Sequence, residues 1–247
     1  MLDFGFYNMD CMEGMKEFPD KYFDLAIVDP PYGINVGSEP GGGNKQWIPF
    51  GGKRNPLFKS AEQLRSEANH RGGGLCKPPK IYKAFDDSHT PDAGYFVELT
   101  RVAKKMIIWG GNYFLDNLGA TECFIVWDKR RRGLNFADCE LAWTNIKQPC
   151  RIFEFKWNGM LQENMKDKEF RIHPTQKPVA LYKWLLDKYS QPNDIILDTH
   201  VGSASSLIAC RETGHKYVGF EIDPDYYAMA KKRLDAAEAQ GNIFDFL

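Results

Sequence analysis

Apolar residues recur at helical spacing over residues 10–18, where Cys11, Met12, Met15 and Phe18 share a face until Pro19-Asp20 interrupts. Residues 22–28 (YFDLAIV) are predominantly apolar and predict a buried strand closed by Asp29-Pro30-Pro31-Tyr32. Helical spacing returns over 92–103, with Phe96, Leu99, Val102 and Ala103 on one face. A strand is predicted over 105–109, a glycine turn at Gly110-Gly111, a short helix over 113–118, and strands over 123–127, 139–144 and 151–157. The last third reads as helix 179–189, strand 195–197 ending at Asp198, helix 203–213, strand 216–222 and helix 225–239. Strands alternating with helices predict an α/β fold: a Rossmann-like, mostly parallel sheet with helices on both faces.

Residues 33–90 break this rhythm. They hold three glycine clusters and Pro78-Pro79, and only 56–69 has a helical pattern. A loop this long inside a compact domain is either functional or disordered. It is also basic, with nine Lys/Arg against three Asp/Glu over 33–83, although the whole chain has a net charge of -1. A basic insertion on a neutral body is either a solvated loop or a face that meets a polyanion. The turn Lys129-Arg130-Arg131-Arg132 poses the same alternative, and 145–172 is a polar segment that could carry recognition. The expected organisation is a single domain over 1–247 with the insertion at 33–90.

Composition narrows the classes. With 43% hydrophobic and 26% charged residues, wholesale disorder is excluded. No apolar run approaches the roughly 18 residues of a membrane span, and the first residues lack a basic, export-type leader. A cytoplasmic protein is expected, without membrane partners. Six scattered cysteines form no CxxC pair. They read as reduced, mostly buried thiols, and no metal site is expected.

Two constellations carry chemistry. In the first, a strand ends at Asp198, a turn with Gly202-Ser203 opens a helix, and the next strand ends at Glu221, 19 residues beyond Gly202. An acidic residue about 20 positions after such a turn suits ribose hydroxyls. The G-x-G-x-x-G pattern of dinucleotide enzymes is absent, which weakens an oxidoreductase reading. Asp198 at the strand tip would repel a pyrophosphate and attract an ammonium. In the second, Asp29-Pro30-Pro31-Tyr32 follows a buried strand. Two prolines stiffen the turn and leave their carbonyls as acceptors. Asp29 and the Pro30 carbonyl could accept both hydrogens of an exocyclic amino group, with Tyr32 stacked on the ring. A rigid strand exit without chemistry is the alternative.

Together these motifs resemble the amino-methyltransferases of DNA, which methylate adenine N6 or cytosine N4, in their permuted β-type order. The resemblance covers 7–32, 94–145 and 170–235. It implies a class I methyltransferase fold, S-adenosylmethionine as cofactor, and duplex DNA as partner, with a homodimer and a cognate restriction nuclease as further candidates. Asp29, Pro30, Pro31 and Tyr32 match the catalytic tetrapeptide, whose Asp is typical of adenine enzymes, so adenine N6 is expected ahead of cytosine N4. Asp10 matches the acidic residue near the cofactor adenine. His173 to Pro178 matches the H-P-T-Q-K-P segment, placing Thr175 and Lys177 near the methionine carboxylate. Asp198, Gly202 and Ser203 match the cofactor loop, and Glu221 with Asp223 the acidic pair beyond it. Lys129, Arg130, Arg131 and Arg132, with the insertion, are the expected phosphate contacts.

The loop departs from the family pattern: Thr199 and His200 replace Pro and Phe, and Ala204 replaces a glycine. A Cβ at 204 predicts a backbone that avoids positive φ. His200 is read first as an exposed loop residue, then as a polar cofactor contact or a helix-cap neighbour. This altered loop also leaves open a degenerate cofactor fold serving as a DNA-binding or regulatory module.

Overall fold

The computed structural model describes residues 1–34, 82–83, 85–132, 137–158 and 161–244. Most of the glycine-rich insertion, including the helix expected over 56–69, lies outside the described residues.

Along the chain run β1 (Gly5–Asn8), α1 (Cys11–Lys16), β2 (Phe23–Val28), α2 (Ala93–Val102), β3 (Ala103–Trp109), a 3-10 turn (Gly111–Tyr113), α3 (Leu115–Leu118), β4 (Phe124–Asp128), β5 (Cys139–Thr144) and β6 (Arg151–Glu154). There follow the hairpin strands β7 (Trp157–Asn158) and β8 (Leu161–Gln162), then α4 (Val179–Tyr189), β9 (Ile195–Asp198), α5 (Ser205–Glu212), β10 (Lys216–Glu221) and α6 (Pro224–Phe244). The main sheet has eight strands in the order β1-β10-β9-β2-β3-β5-β4-β6. From β1 to β3 every pairing is parallel, β5 is antiparallel to both β3 and β4, and β6 lies parallel to β4.

The alternation of side chains along the central strands builds both cores. Ala26, Val28, Met106 and Ile108 pack with Met15 of α1 and Phe96, Leu99 and Val102 of α2. The intervening Leu25, Ile27, Ile107 and Trp109 pack on the opposite face with Leu181, Leu185 and Leu186 of α4 and Ala209 of α5. A sheet buried on both faces needs near-continuous apolar strands, which is why YFDLAIV carries so little polarity. The Arg101 guanidinium ties α1 to α2 by donating to the carbonyls of Phe18 (2.9 Å) and Met15 (3.1 Å).

Several boundaries differ from expectation. β1 has only four residues and was not anticipated; it adds to the sheet edge by pairing with β10. The strand expected over 151–157 ends at Glu154, and the polar stretch beyond it contains the β7–β8 hairpin. Among the five described cysteines only Cys123 and Cys210 are buried, and Cys150 is exposed. No described helix is long and apolar enough to cross a membrane.

Candidate active site

Strand order reverses between β9 and β2. From there the chain builds outward through β10 on one side and β3 on the other. In an open parallel sheet the crevice at the carboxyl ends of such strands is where ligands bind. Asp198 ends β9, Asp29 follows β2, and Glu221 ends β10, so the topology gathers three of the expected acidic residues along one edge.

At the tip of β2, Asp29 and Tyr32 form a closed unit. The Tyr32 hydroxyl donates to Asp29 Oδ1 at 2.6 Å. The buried Asp87 carboxylate accepts from the backbone N–H groups of Tyr32 (2.8 Å) and Gly33 (3.1 Å) and so fixes the turn. The Tyr32 ring lies against the backbone of Gly110, where an added Cβ would come within 2.2 Å of it; Gly110 also has φ +68°. Tyr113 stacks on Tyr32 with centroids 5.2 Å apart and planes at 18°.

Lys177 completes this unit. Expected near the methionine carboxylate, its ammonium instead hydrogen-bonds Asp29 Oδ2, lies 3.2 Å from the Tyr32 hydroxyl, and sits 3.1 Å from Glu140 Oε2 on β5. Its side chain is only 3% exposed. Burial would lower the Lys177 pKa, but Asp29 and Glu140 outweigh it and hold the amine above its ordinary value. Burial raises the Asp29 pKa against the pull of Lys177. Glu140 is held at about 2, because the Lys177 and Lys129 ammoniums outweigh its burial.

Beside this cluster lies a cavity of about 320 Å³ whose lining includes Asp10, Met12, Pro31, Tyr95, His200 and Glu221. Asp10 caps α1 by accepting from the Met12 N–H at 2.7 Å. Glu221 is oriented by the N–H groups of Gly202 (2.8 Å) and Asp223 (2.9 Å). Asp198, 2% exposed, accepts from the Ser206 hydroxyl and the His200 N–H, and burial pushes its carboxyl up to about 7. Asp223 is paired with Lys83 at 2.7 Å. Ser203 is buried, and its carbonyl accepts from Arg233 of α6 at 2.6 Å. His173 is packed on Tyr226 and bonded to the exposed Thr175 through Nδ1 at 2.9 Å; burial first, then nearby cations, drop its pKa to about 4.

Two expectations for the loop are corrected. Ala204 does adopt positive φ, at 61°, and starts α5 from that left-handed position. Its methyl is fully buried in the α5–α6 core with Leu207 and Leu234, which offsets part of the backbone cost of roughly 1–2 kcal/mol. His200 is not an exposed loop residue. It lines the cavity, contacts the Thr199 hydroxyl at 2.9 Å and the Tyr95 ring at 5.4 Å, and burial drops its pKa to about 4.

The basic turn divides. Lys129 points inward onto Glu140 and is 11% exposed. Arg130 and Arg132 are more exposed, paired with Glu163 (3.2 Å) and Asp128 (2.5 Å). Burial lowers the Arg131 pKa. Glu140, Asp87, Tyr95 and Arg233 are site residues that sequence reasoning missed. Glu140 sits in a short strand whose pattern does not separate it from a solvent-facing position, and Asp87 falls in the stretch read as insertion.

The profile of the family described as "DNA methylase" (N6_N4_Mtase) matches residues 108–232. A DNA adenine methyltransferase of Escherichia coli (strain K12), YhdJ, is 42% identical over 249 residues, covering 92% of this chain and 81% of the relative. The chain belongs to the DNA methylase family. The type II methyltransferase M.HinfI of Haemophilus influenzae is 25% identical, covering 96% of this chain and 70% of that one. Among solved structures, the fold is shared with the M1.HpyAVI–SAM complex (TM-score 0.51, 19% identity, 93% of this chain and 98% of that one). It is shared also with the PvuII cytosine-N4-specific DNA methyltransferase (TM-score 0.53, 10% identity, 94% and 90%). The resemblance read from the motifs is borne out, as is the class I methyltransferase fold.

The packing of Tyr32 on Gly110 has a direct test. Gly110→Ala is expected to cost about 2 kcal/mol or more of stability in chemical denaturation, from left-handed strain and overpacking together. An unchanged denaturation midpoint would contradict the ring-on-backbone contact.

Proposed function

We propose that this DNA methylase transfers a methyl group from S-adenosylmethionine to the exocyclic N6 of adenine in duplex DNA, with Asp29 as the acceptor that activates the amino group. The observation that carries this reading is the hydrogen-bonded Asp29-Pro30-Pro31-Tyr32 turn at the strand-order reversal, beside a cavity of cofactor size. The 42% identity to a DNA adenine methyltransferase supports adenine over cytosine.

The cavity fits the cofactor by its lining: Met12 and Pro31 offer apolar surface for a purine, and Glu221 offers carboxylate oxygens to ribose hydroxyls. Asp198, buried next to the lining residues Thr199 and His200, is the proposed partner of an ammonium. Asp10, His173, Thr175, Gly202, Ser203 and Asp223 complete the proposed binding region. When bound, S-adenosylmethionine supplies an electrophilic methyl group. The chain's own residues prepare the nucleophile. An exocyclic amine is weakly nucleophilic because its lone pair is delocalised into the ring. Accepting its hydrogens on Asp29 and the Pro30 carbonyl favours a pyramidal nitrogen with a localised pair, so catalysis is positioning and electrostatics.

A base inside a duplex is out of reach and must be flipped out, at a few kcal/mol. A base that takes the place of Tyr113 on the Tyr32 ring recovers roughly 1–3 kcal/mol by stacking. The exposed Arg130 and Arg132, with Arg131 and the insertion, are the proposed phosphate contacts; Lys129 would act from within through Glu140. Residues 145–172 are the proposed recognition segment. A homodimer, a partner nuclease and a cytoplasmic location belong to the same reading.

Two outcomes are expected. Asp29→Ala lowers methyl transfer to DNA by at least roughly 10³-fold while cofactor affinity, read by calorimetry, stays within a few-fold; a near-normal rate would sink the assignment. Cofactor affinity should also follow the Asp198 carboxyl. Above about 7 the carboxylate is ionised and attracts an ammonium; below it the neutral acid does not. The dissociation constant should therefore rise by roughly tenfold per unit as pH falls below 7. Affinity independent of pH between 5.5 and 7 would remove Asp198 from that role.

A further inference from the structure

Both oxygens of Asp29 are engaged, Oδ1 by the Tyr32 hydroxyl and Oδ2 by the Lys177 ammonium. An incoming amino group brings N–H donors but no charge, and the acceptor position held by the mobile Lys177 side chain, rather than the turn-locked Tyr32, is the one it can take over. Lys177 is buried, and withdrawing it from every carboxylate would strand an unpaired charge in the interior, a strongly unfavourable state. Glu140 offers a way out. Its Oε2 is buried and ion-paired with the same Lys177 nitrogen at 3.1 Å, but outside hydrogen-bond geometry. Its other oxygen is held by Lys129. The cluster of Asp29, Glu140, Lys177 and Lys129 thus has two negative and two positive groups, and one acceptor atom, Glu140 Oε2, whose hydrogen bond to Lys177 is not made in this arrangement.

We propose that Glu140 is a positioning residue of the methyl-transfer site: its open oxygen receives the Lys177 ammonium when the exocyclic amino group of the target base takes over Asp29. Lys177 then acts as a placeholder for the substrate amine. It keeps Asp29 paired while no base is present and yields it by a short lateral shift. No proton moves, the Lys177 ammonium stays paired throughout, and Asp29 exchanges it for the N–H donors of the base while keeping its bond from Tyr32. The inference rests on the reading of Asp29 as the acceptor of the target amine.

The test is a kinetic cycle on the full chain, measuring methyl transfer from radiolabelled S-adenosylmethionine to unmethylated bacterial genomic DNA. E140Q leaves Lys177 with Asp29 as its only carboxylate, so the base amine competes against a fixed ammonium. The expected result is a fall in kcat of at least tenfold, with KM for DNA and for the cofactor within twofold of wild type. E140D, which restores the charge, recovers most of the rate. E140Q/K177Q loses no more than K177Q alone, because no ammonium then needs a second acceptor. If E140Q does not fold, K129Q/E140Q removes the carboxylate together with the cation it would strand, and the same loss of kcat is expected. A kcat within threefold of wild type in the folded Glu140 variant, or losses that multiply in E140Q/K177Q, would overturn the proposal. A wild-type chain that methylates no DNA would instead overturn the reading of Asp29 on which it stands.

Discussion

One buried ammonium holds the reactive edge of this sheet together. Lys177 reaches Asp29, the Tyr32 hydroxyl and Glu140 from the turn before α4, and so ties the tip of β2 to the antiparallel strand β5. Carboxylates carried this far into a protein are tolerated only when paired and hydrogen-bonded. Without the lysine the Tyr32 hydroxyl would still donate to Asp29, and burial would act on the Asp29 carboxyl against a weaker counterweight. The rest of the site is built to keep that pairing in register. Asp87 pins the backbone of the turn, Gly110 lets the Tyr32 ring pack closely against the strand exit, and Trp157 anchors the segment carrying Lys177 through the Gln176 carbonyl at 2.9 Å.

The second carboxylate region is wired differently. Asp198 and Glu221 are held by backbone N–H groups and a serine rather than by lysines. Burial therefore raises both of their pKa values. Among the described residues no lysine or arginine lines the cavity beside them, which suits it to a cationic, hydroxyl-bearing ligand. Among the described residues the carboxylate at the tip of β2 is paired with a lysine, whereas Asp198 and Glu221 at the tips of β9 and β10 are not, the contrast that the proposed acceptor and donor roles use.

The sheet was legible in the sequence because burial on both faces demands long apolar strands, and YFDLAIV, KMIIW and CFIVW meet that demand. The edge strand β1 was not, since four residues, three half-buried and one exposed, carry little pattern. Site residues at strand tips were legible where a motif marks them, as at Asp29 and Asp198. Glu140 was not, and the motif marks Lys177 without its partner: the two are 37 residues apart in sequence, and only the fold brings them within 3.1 Å. Ala204 shows the limit of local rules: the cost of a left-handed alanine is local, whereas the core that receives its methyl is assembled from α5 and α6.

The central claim, adenine N6 methylation of DNA by the site at the tip of β2, is most directly tested by expressing the chain in a bacterial host that lacks DNA methylation and mapping modified bases by long-read single-molecule sequencing. The account predicts N6-methyladenine at one short recurring motif, absent from the same host without the chain. N4-methylcytosine in its place would contradict the assignment of the base, and DNA free of any new modification, with the protein present in soluble form, would contradict the account as a whole.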